Sequence, residues 1–140
     1  MKMMMKHRCL AWLCPLVMFA AVGCTPPEPR RFAMVTELRP DRAEYYRELH
    51  ANPWPEVTRR LKESNIHNYS IYECENEGRL WLFSYFEYRG RDFDADMKAV
   101  ANDPVTQKWW RETDPCQIPL PGAARSGEIW TPLQEVFRLQ

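Results

Sequence analysis

The sequence predicts an α+β domain of βαββαβ order, a ferredoxin-like arrangement in which helices cover one face of an antiparallel sheet. Three observations predict it. Segments of alternating apolar residues are interleaved with segments that carry helix-start signals. The two middle strand segments are separated only by Glu75-Asn76-Glu77-Gly78, a turn that makes them a hairpin. No segment repeats within the 140 residues, so one domain is expected.

The first 23 residues stand apart from that domain. Lys2, Lys6 and Arg8 give a positive start, residues 9–22 carry no charge, and Ala21-Val22-Gly23 places small residues before Cys24. This is the layout of a secretory signal. Its apolar run of 14 residues is shorter than the ~18 a membrane span needs. Ala21-Val22-Gly23-Cys24 also resembles the lipobox of bacterial lipoproteins. That resemblance implies that Cys24 is acylated through its thiol and becomes the new N-terminus. Two or three acyl chains anchor a protein stably where one is marginal. Thr25, rather than Asp, follows the cysteine, as in lipoproteins sorted to the outer membrane. Residues 24–30, with Pro26, Pro27 and Pro29, read as a short extended tether, and 31–140 as the functional domain. The expectation is a lipoprotein facing the periplasm or the cell exterior.

Loss of the signal removes three of 19 basic residues and none of 19 acidic ones, leaving a net charge of about −3. No basic stripe survives, which argues against nucleic acid as a partner. Cys24, Cys74 and Cys116 remain of the five cysteines. With Cys24 acylated, Cys74 and Cys116 form an even pair in an oxidising compartment, either bridged or as two free thiols. No metal-ligand spacing occurs among the Cys and His residues.

Residues 31–38 form the first predicted strand, ended by Pro40-Asp41. Asp41 and Glu44 resemble a capping box that starts a helix over about 42–51. Pro53 interrupts it, and Pro55 suits the first turn of a second helix to about Ser64. Strands follow over 67–74 and 79–88. Asp92 opens another helical segment, and Asp103 and Pro104 cap and open the helix carrying Trp109 and Trp110. Residues 114–132, with three prolines and two glycines before Pro132, show no periodicity and read as a long loop of the kind that forms lids. Residues 133–139 are the last predicted strand.

The strand at 79–88 is apolar on both faces. Leu80, Leu82, Phe86 and Tyr88 point one way, and Trp81, Phe83 and Tyr85 the other. A sheet with one solvated face alternates apolar with polar. A second cover is therefore expected. The reading preferred here is a homodimer whose sheets pack face to face, a dimeric α+β barrel, with a pocket kept in each subunit. The simpler reading is that the long loop covers that face.

Tyr46 and His50 are four residues apart on the first helix, hence on one face. Histidine titrates near neutral pH, although a single helical histidine is commonly just surface or satisfied core. Glu56, Tyr69, Trp109, Trp110 and Glu135 are the other notable groups. Aromatic rings pack well against the apolar C–H face of a sugar, and equally well in cores.

Five segments decide between these readings. They are Tyr46-Arg47-Glu48-Leu49-His50, Trp54-Pro55-Glu56, His67-Asn68-Tyr69-Ser70-Ile71-Tyr72, Lys108-Trp109-Trp110 and Leu133-Gln134-Glu135-Val136-Phe137. In order and spacing the chain resembles the L-rhamnose mutarotase family over nearly all of 31–139. The resemblance implies a dimeric α+β fold, a monosaccharide substrate and no metal or organic cofactor. It implies His50 as the catalytic acid/base, and Tyr46, Tyr69, Trp109 and Trp110 as the substrate-binding residues. The sequence also departs from the family. Asn52 is one position later than the asparagine that typically follows the histidine. Cys116, Gln117 and Ile118 occupy a region that usually carries Met and an Asn-Pro-rich run, and Arg138 stands where an aromatic is common. The competing reading is a non-catalytic, lipid-anchored sugar-binding dimer, for which a neutral-pH proton donor such as His50 would be superfluous.

Overall fold

The computed structural model of the protein describes residues 28–139. The expected signal, the lipidation site Cys24 and residues 24–27 of the expected tether lie outside the described residues. The described chain runs β1 (Arg30–Leu38), α1 (Ala43–Ala51), α2 (Pro55–Glu63), β2 (Ile66–Asn76), β3 (Arg79–Tyr88), α3 (Phe93–Ala101), α4 (Pro104–Thr113), β4 (Gln117–Ile118), α5 (Pro121–Ser126) and β5 (Thr131–Leu133). The strands lie in the order β2-β3-β1-β4, with β5 also on β1, and every pairing is antiparallel. This is the ferredoxin-like α+β order that the sequence predicts. Arg30, expected in the tether, already belongs to β1.

Local chemistry explains most helix ends. The Asp92 carboxylate accepts from the Ala95 amide at 3.0 Å, and Asp103 from the Thr106 amide at 2.7 Å, satisfying N–H groups that the first turn leaves unpaired. Proline opens α2, α4 and α5. The expected capping box at Asp41 and Glu44 does not form. A 3-10 turn over Pro40–Arg42 precedes α1, whose N-cap is Arg42. Asp41 instead accepts from Arg39 Nε and Nη2 at 3.1 and 3.0 Å.

The helix-facing side of the sheet holds the core. Leu38, Leu82 and Cys116 pack with Ala43 and Tyr46 of α1, while Ile66, Phe86 and Tyr88 form a second cluster. Burying a side chain such as Leu82 contributes about 1.5–3 kcal/mol. The opposite face of β3 remains open: Phe83 is 38% exposed, and its neighbour Tyr72 on β2 is 64% exposed. The segment expected to act as a lid does not cover it. That segment is also more ordered than expected. Its Gln117 and Ile118 pair with β1, and α5 lies between Pro121 and a left-handed Gly127 at φ 75°, the proline-start, glycine-stop arrangement of a short helix.

Two departures concern strands. The register of β2 on β3 shifts between His67 and Ser70, and Asn68 has φ 50°. One extra residue is inserted there, as in a β-bulge. Without it, alternation from Ile66 would send Asn68 and Ser70 inward. With it, Tyr69 and Ile71 share the inner face with Ile66, and the Tyr69 ring meets Phe86 edge-on at 5.7 Å. The second departure is at the end of the chain. The expected strand over 133–139 is paired only over Thr131–Leu133. Val136, Phe137 and Leu139 are 93%, 79% and 86% exposed. Their apolar pattern favours a strand, but no strand among the described residues pairs with them.

Candidate active site

A cavity of about 460 Å³ opens between the inner face of the sheet and helices α1 and α4, a volume within the usual range for small-molecule sites. All five residues predicted from sequence to form the sugar site, His50, Tyr46, Tyr69, Trp109 and Trp110, line it. Glu56 and Glu135 do not; both are exposed. A second cavity of about 300 Å³ adjoins it toward α2, with His50, Tyr69, Ile71 and Trp109 bordering both.

Helix α1 brings Tyr46 and His50 together by its four-residue repeat. Their rings stack at 4.1 Å between centroids. The Nδ1 of His50 lies 2.8 Å from the Tyr46 carbonyl oxygen. A carbonyl only accepts, so Nδ1 carries the hydrogen and donates it. The exchangeable nitrogen is therefore Nε2, which has no hydrogen-bond partner among the described residues. Trp109 meets the histidine edge-on at 5.2 Å, and Trp54 backs Trp109 at 5.4 Å. Burial lowers the His50 pKa below 6.5, opposed only in part by the bond to the Tyr46 carbonyl.

Tyr46 is buried, at 4% exposure. Burial above all, then the charges of Tyr69, Cys116 and Asp114, pushes its hydroxyl well above the usual phenol range. Burial likewise raises Tyr69, although 44% of that residue's surface is open. Both tyrosines stay neutral at physiological pH and can donate or accept hydrogen bonds. The paired tryptophans differ: Trp109 is 8% exposed and Trp110 37%, so one forms the inner wall and the other the rim.

Sequence reasoning missed Asp114, Gln117 and Trp130, which also line the cavity. They lie in the segment read as a loop, where no periodicity marked an inward face. Among the described residues no group of three or more His, Cys, Asp or Glu is placed to hold a metal ion. The two cysteines lie on opposite sides of the sheet, Cys116 buried in the core and Cys74 exposed, and both are free thiols.

The L-rhamnose mutarotase family model matches residues 31–139. The chain belongs to the L-rhamnose mutarotase family. It is 33% identical over 109 residues to an L-rhamnose mutarotase of Shigella flexneri, covering 78% of this chain and 97% of that protein. An L-rhamnose mutarotase of Escherichia coli is 34% identical over the same length and shares. The crystal structure of an L-rhamnose mutarotase from Formosa agariphila superposes with a TM-score of 0.60 at 26% identity, covering 79% of this chain and 99% of the other. Three of the five motifs that carry the L-rhamnose mutarotase resemblance come from α1, β2 and α4, elements that meet at this cavity.

Proposed function

We propose that this protein is a mutarotase that interconverts the anomers of L-rhamnose or a related 6-deoxyhexose by acid/base ring opening and closure. The observation that carries this reading is the Nε2 of His50, without a hydrogen-bond partner among the described residues, in an aromatic-walled cavity. Ring opening needs a proton delivered to the ring oxygen and one removed from the anomeric hydroxyl. The C1–O5 bond breaks, C1–C2 rotates, and closure gives the other anomer. Protonated His50 delivers its Nε2 proton to the ring oxygen and recovers it on closure. Its depressed pKa makes it the stronger acid when protonated. Tyr46 and Tyr69 orient hydroxyls, and Trp109 and Trp110 hold a C–H face of the sugar and exclude water. A catalytic group of this kind contributes about 10²–10⁴-fold, enough for a reaction that also proceeds spontaneously.

NMR measurement of anomeric exchange across several deoxysugars tests the reading. Wild type should accelerate exchange of at least one sugar, and His50→Ala should return it to the spontaneous rate. Sugar binding without any acceleration would instead establish the non-catalytic binder.

The same reading includes a homodimer and a lipid anchor. The open apolar face around Phe83 and Tyr72 and the unpaired tail at Val136 and Phe137 support the dimer. Light scattering should give twice the chain mass. The layout of residues 1–24 supports acylation at Cys24 and a position facing the periplasm or exterior, with the outer membrane as the favoured destination. No helix among the described residues is long and apolar enough to cross a membrane. Mass spectrometry of the mature N-terminus should find acylated Cys24; an intact Met1 would contradict it.

A further inference from the structure

We propose that Asp114 is a second catalytic residue, the base that partners His50 across the sugar. The inference rests on the mutarotase reading and names the group which that reading leaves unassigned. Opening the ring takes two proton movements, and His50 accounts for one.

Asp114 lines the cavity together with His50, Tyr46 and Tyr69. The other titratable group on its wall is the exposed Glu128, on the segment before β5. No lysine or arginine lines it. Asp114 is also the C-cap of α4, where unpaired carbonyls present the negative end of the helix dipole. Structure alone would not favour a carboxylate there. Among the described residues the carboxylates shifted by their surroundings move down beside a cation or a donor, as Asp41, Asp96 and Asp103 do. Asp114 alone moves up, and burial is the cause. An acid kept half-buried, unpaired and electrostatically disfavoured inside a cavity marks a functional group.

Its position is rigid. Thr113 Oγ1 donates to the Trp109 carbonyl at 3.2 Å, and Gln117 Nε2 donates to the Thr113 carbonyl at 3.2 Å. Cys116 Sγ donates to the Glu112 carbonyl at 3.3 Å. The Gln117 bond ties β4 to the end of α4, and the other two brace the chain before and after Asp114.

The proton balance closes with this pair. The Asp114 carboxylate takes the anomeric O–H proton as the C1=O bond forms. The C1–O5 electrons go to the ring oxygen, which takes the His50 Nε2 proton. After C1–C2 rotation the ring hydroxyl attacks the carbonyl carbon. His50 then recovers its proton from that oxygen, and Asp114 returns one to the new anomeric hydroxyl. Burial moves the two pKa values toward each other, Asp114 up and His50 down. The Asp114 carboxylate thereby becomes the stronger base, and protonated His50 the stronger acid.

Anomeric exchange of L-rhamnose by the full chain, followed by NMR from acid to neutral pH, tests this with Asp114→Asn and Asp114→Glu. Asp114→Asn should lower kcat by roughly 10²–10⁴-fold with KM little changed, and should remove the acid limb of the pH profile. Its thermal midpoint should be unchanged or higher, because the charge it removes is disfavoured in the fold. A merely structural residue would instead lower the midpoint. Asp114→Glu should keep part of the rate and the acid limb; if Asp114→Asn does not fold, absence of that limb in Asp114→Glu overturns the proposal. So does Asp114→Asn activity within about threefold of wild type while His50→Ala is inactive, which leaves the mutarotase reading intact. Wild type that accelerates neither L-rhamnose nor any other deoxysugar overturns both.

Discussion

At the scale of single residues, the site trades charge stability for reactivity. His50 donates from Nδ1 to a carbonyl of its own helix and stacks on Tyr46, so its neutral form suits the fold. Its folded pKa lies below the unfolded value of 6.5. Above that value both states are neutral and nothing is lost. As pH falls below it, the unfolded chain takes up the proton first and stability declines until the folded pKa is passed. Melting curves across this window should show a decline for wild type that is shallower in His50→Gln. The pairing of Tyr46 with His50 was legible in the sequence because a four-residue step on a helix fixes one face. Asp114 was not legible. Its inward direction depends on where α4 ends and on the pairing of Gln117 with Leu38, a contact between residues far apart in the chain.

At the scale of elements, helix boundaries were legible wherever one residue type has one local job. Asp103 and Pro104 start α4 as expected, and the Arg79–Tyr88 strand matches residue for residue. The bulge in β2 was not, because alternation counts residues and cannot show where one is extra. Asn68 makes that bulge affordable, since asparagine tolerates the left-handed region better than other residues with a Cβ. Arg89 first, and Asn68 after it, hold the Glu87 carboxylate below its usual pKa. Asn68→Val should destabilise the protein by about 1–2 kcal/mol in denaturant unfolding. It should also raise KM for the sugar, because Tyr69 is held inward by this bulge. Asn68→Gly should recover most of the stability.

At the scale of the whole molecule, the sheet separates two roles. Its inner face and helices enclose the cavity, and its outer face carries Phe83, Tyr72 and Trp81, with Val136 and Phe137 exposed on the tail. The final strand was only half legible because a strand needs a neighbour as well as a pattern, and Val136 and Phe137 have none among the described residues. Phe83→Lys should yield a monomer by light scattering and keep its melting cooperative, since Phe83 is already 38% exposed in the single chain. The two cysteines sample these two environments separately. Cys116 is sealed in the core, while Cys74 lies opposite Trp81 on the outer face. In the mature chain with Cys24 acylated, a maleimide dye therefore has one reachable attachment point. It lies beside Trp81 on the face that the dimer would cover, away from the sugar cavity, so the rate at which the thiol is labelled reads out assembly.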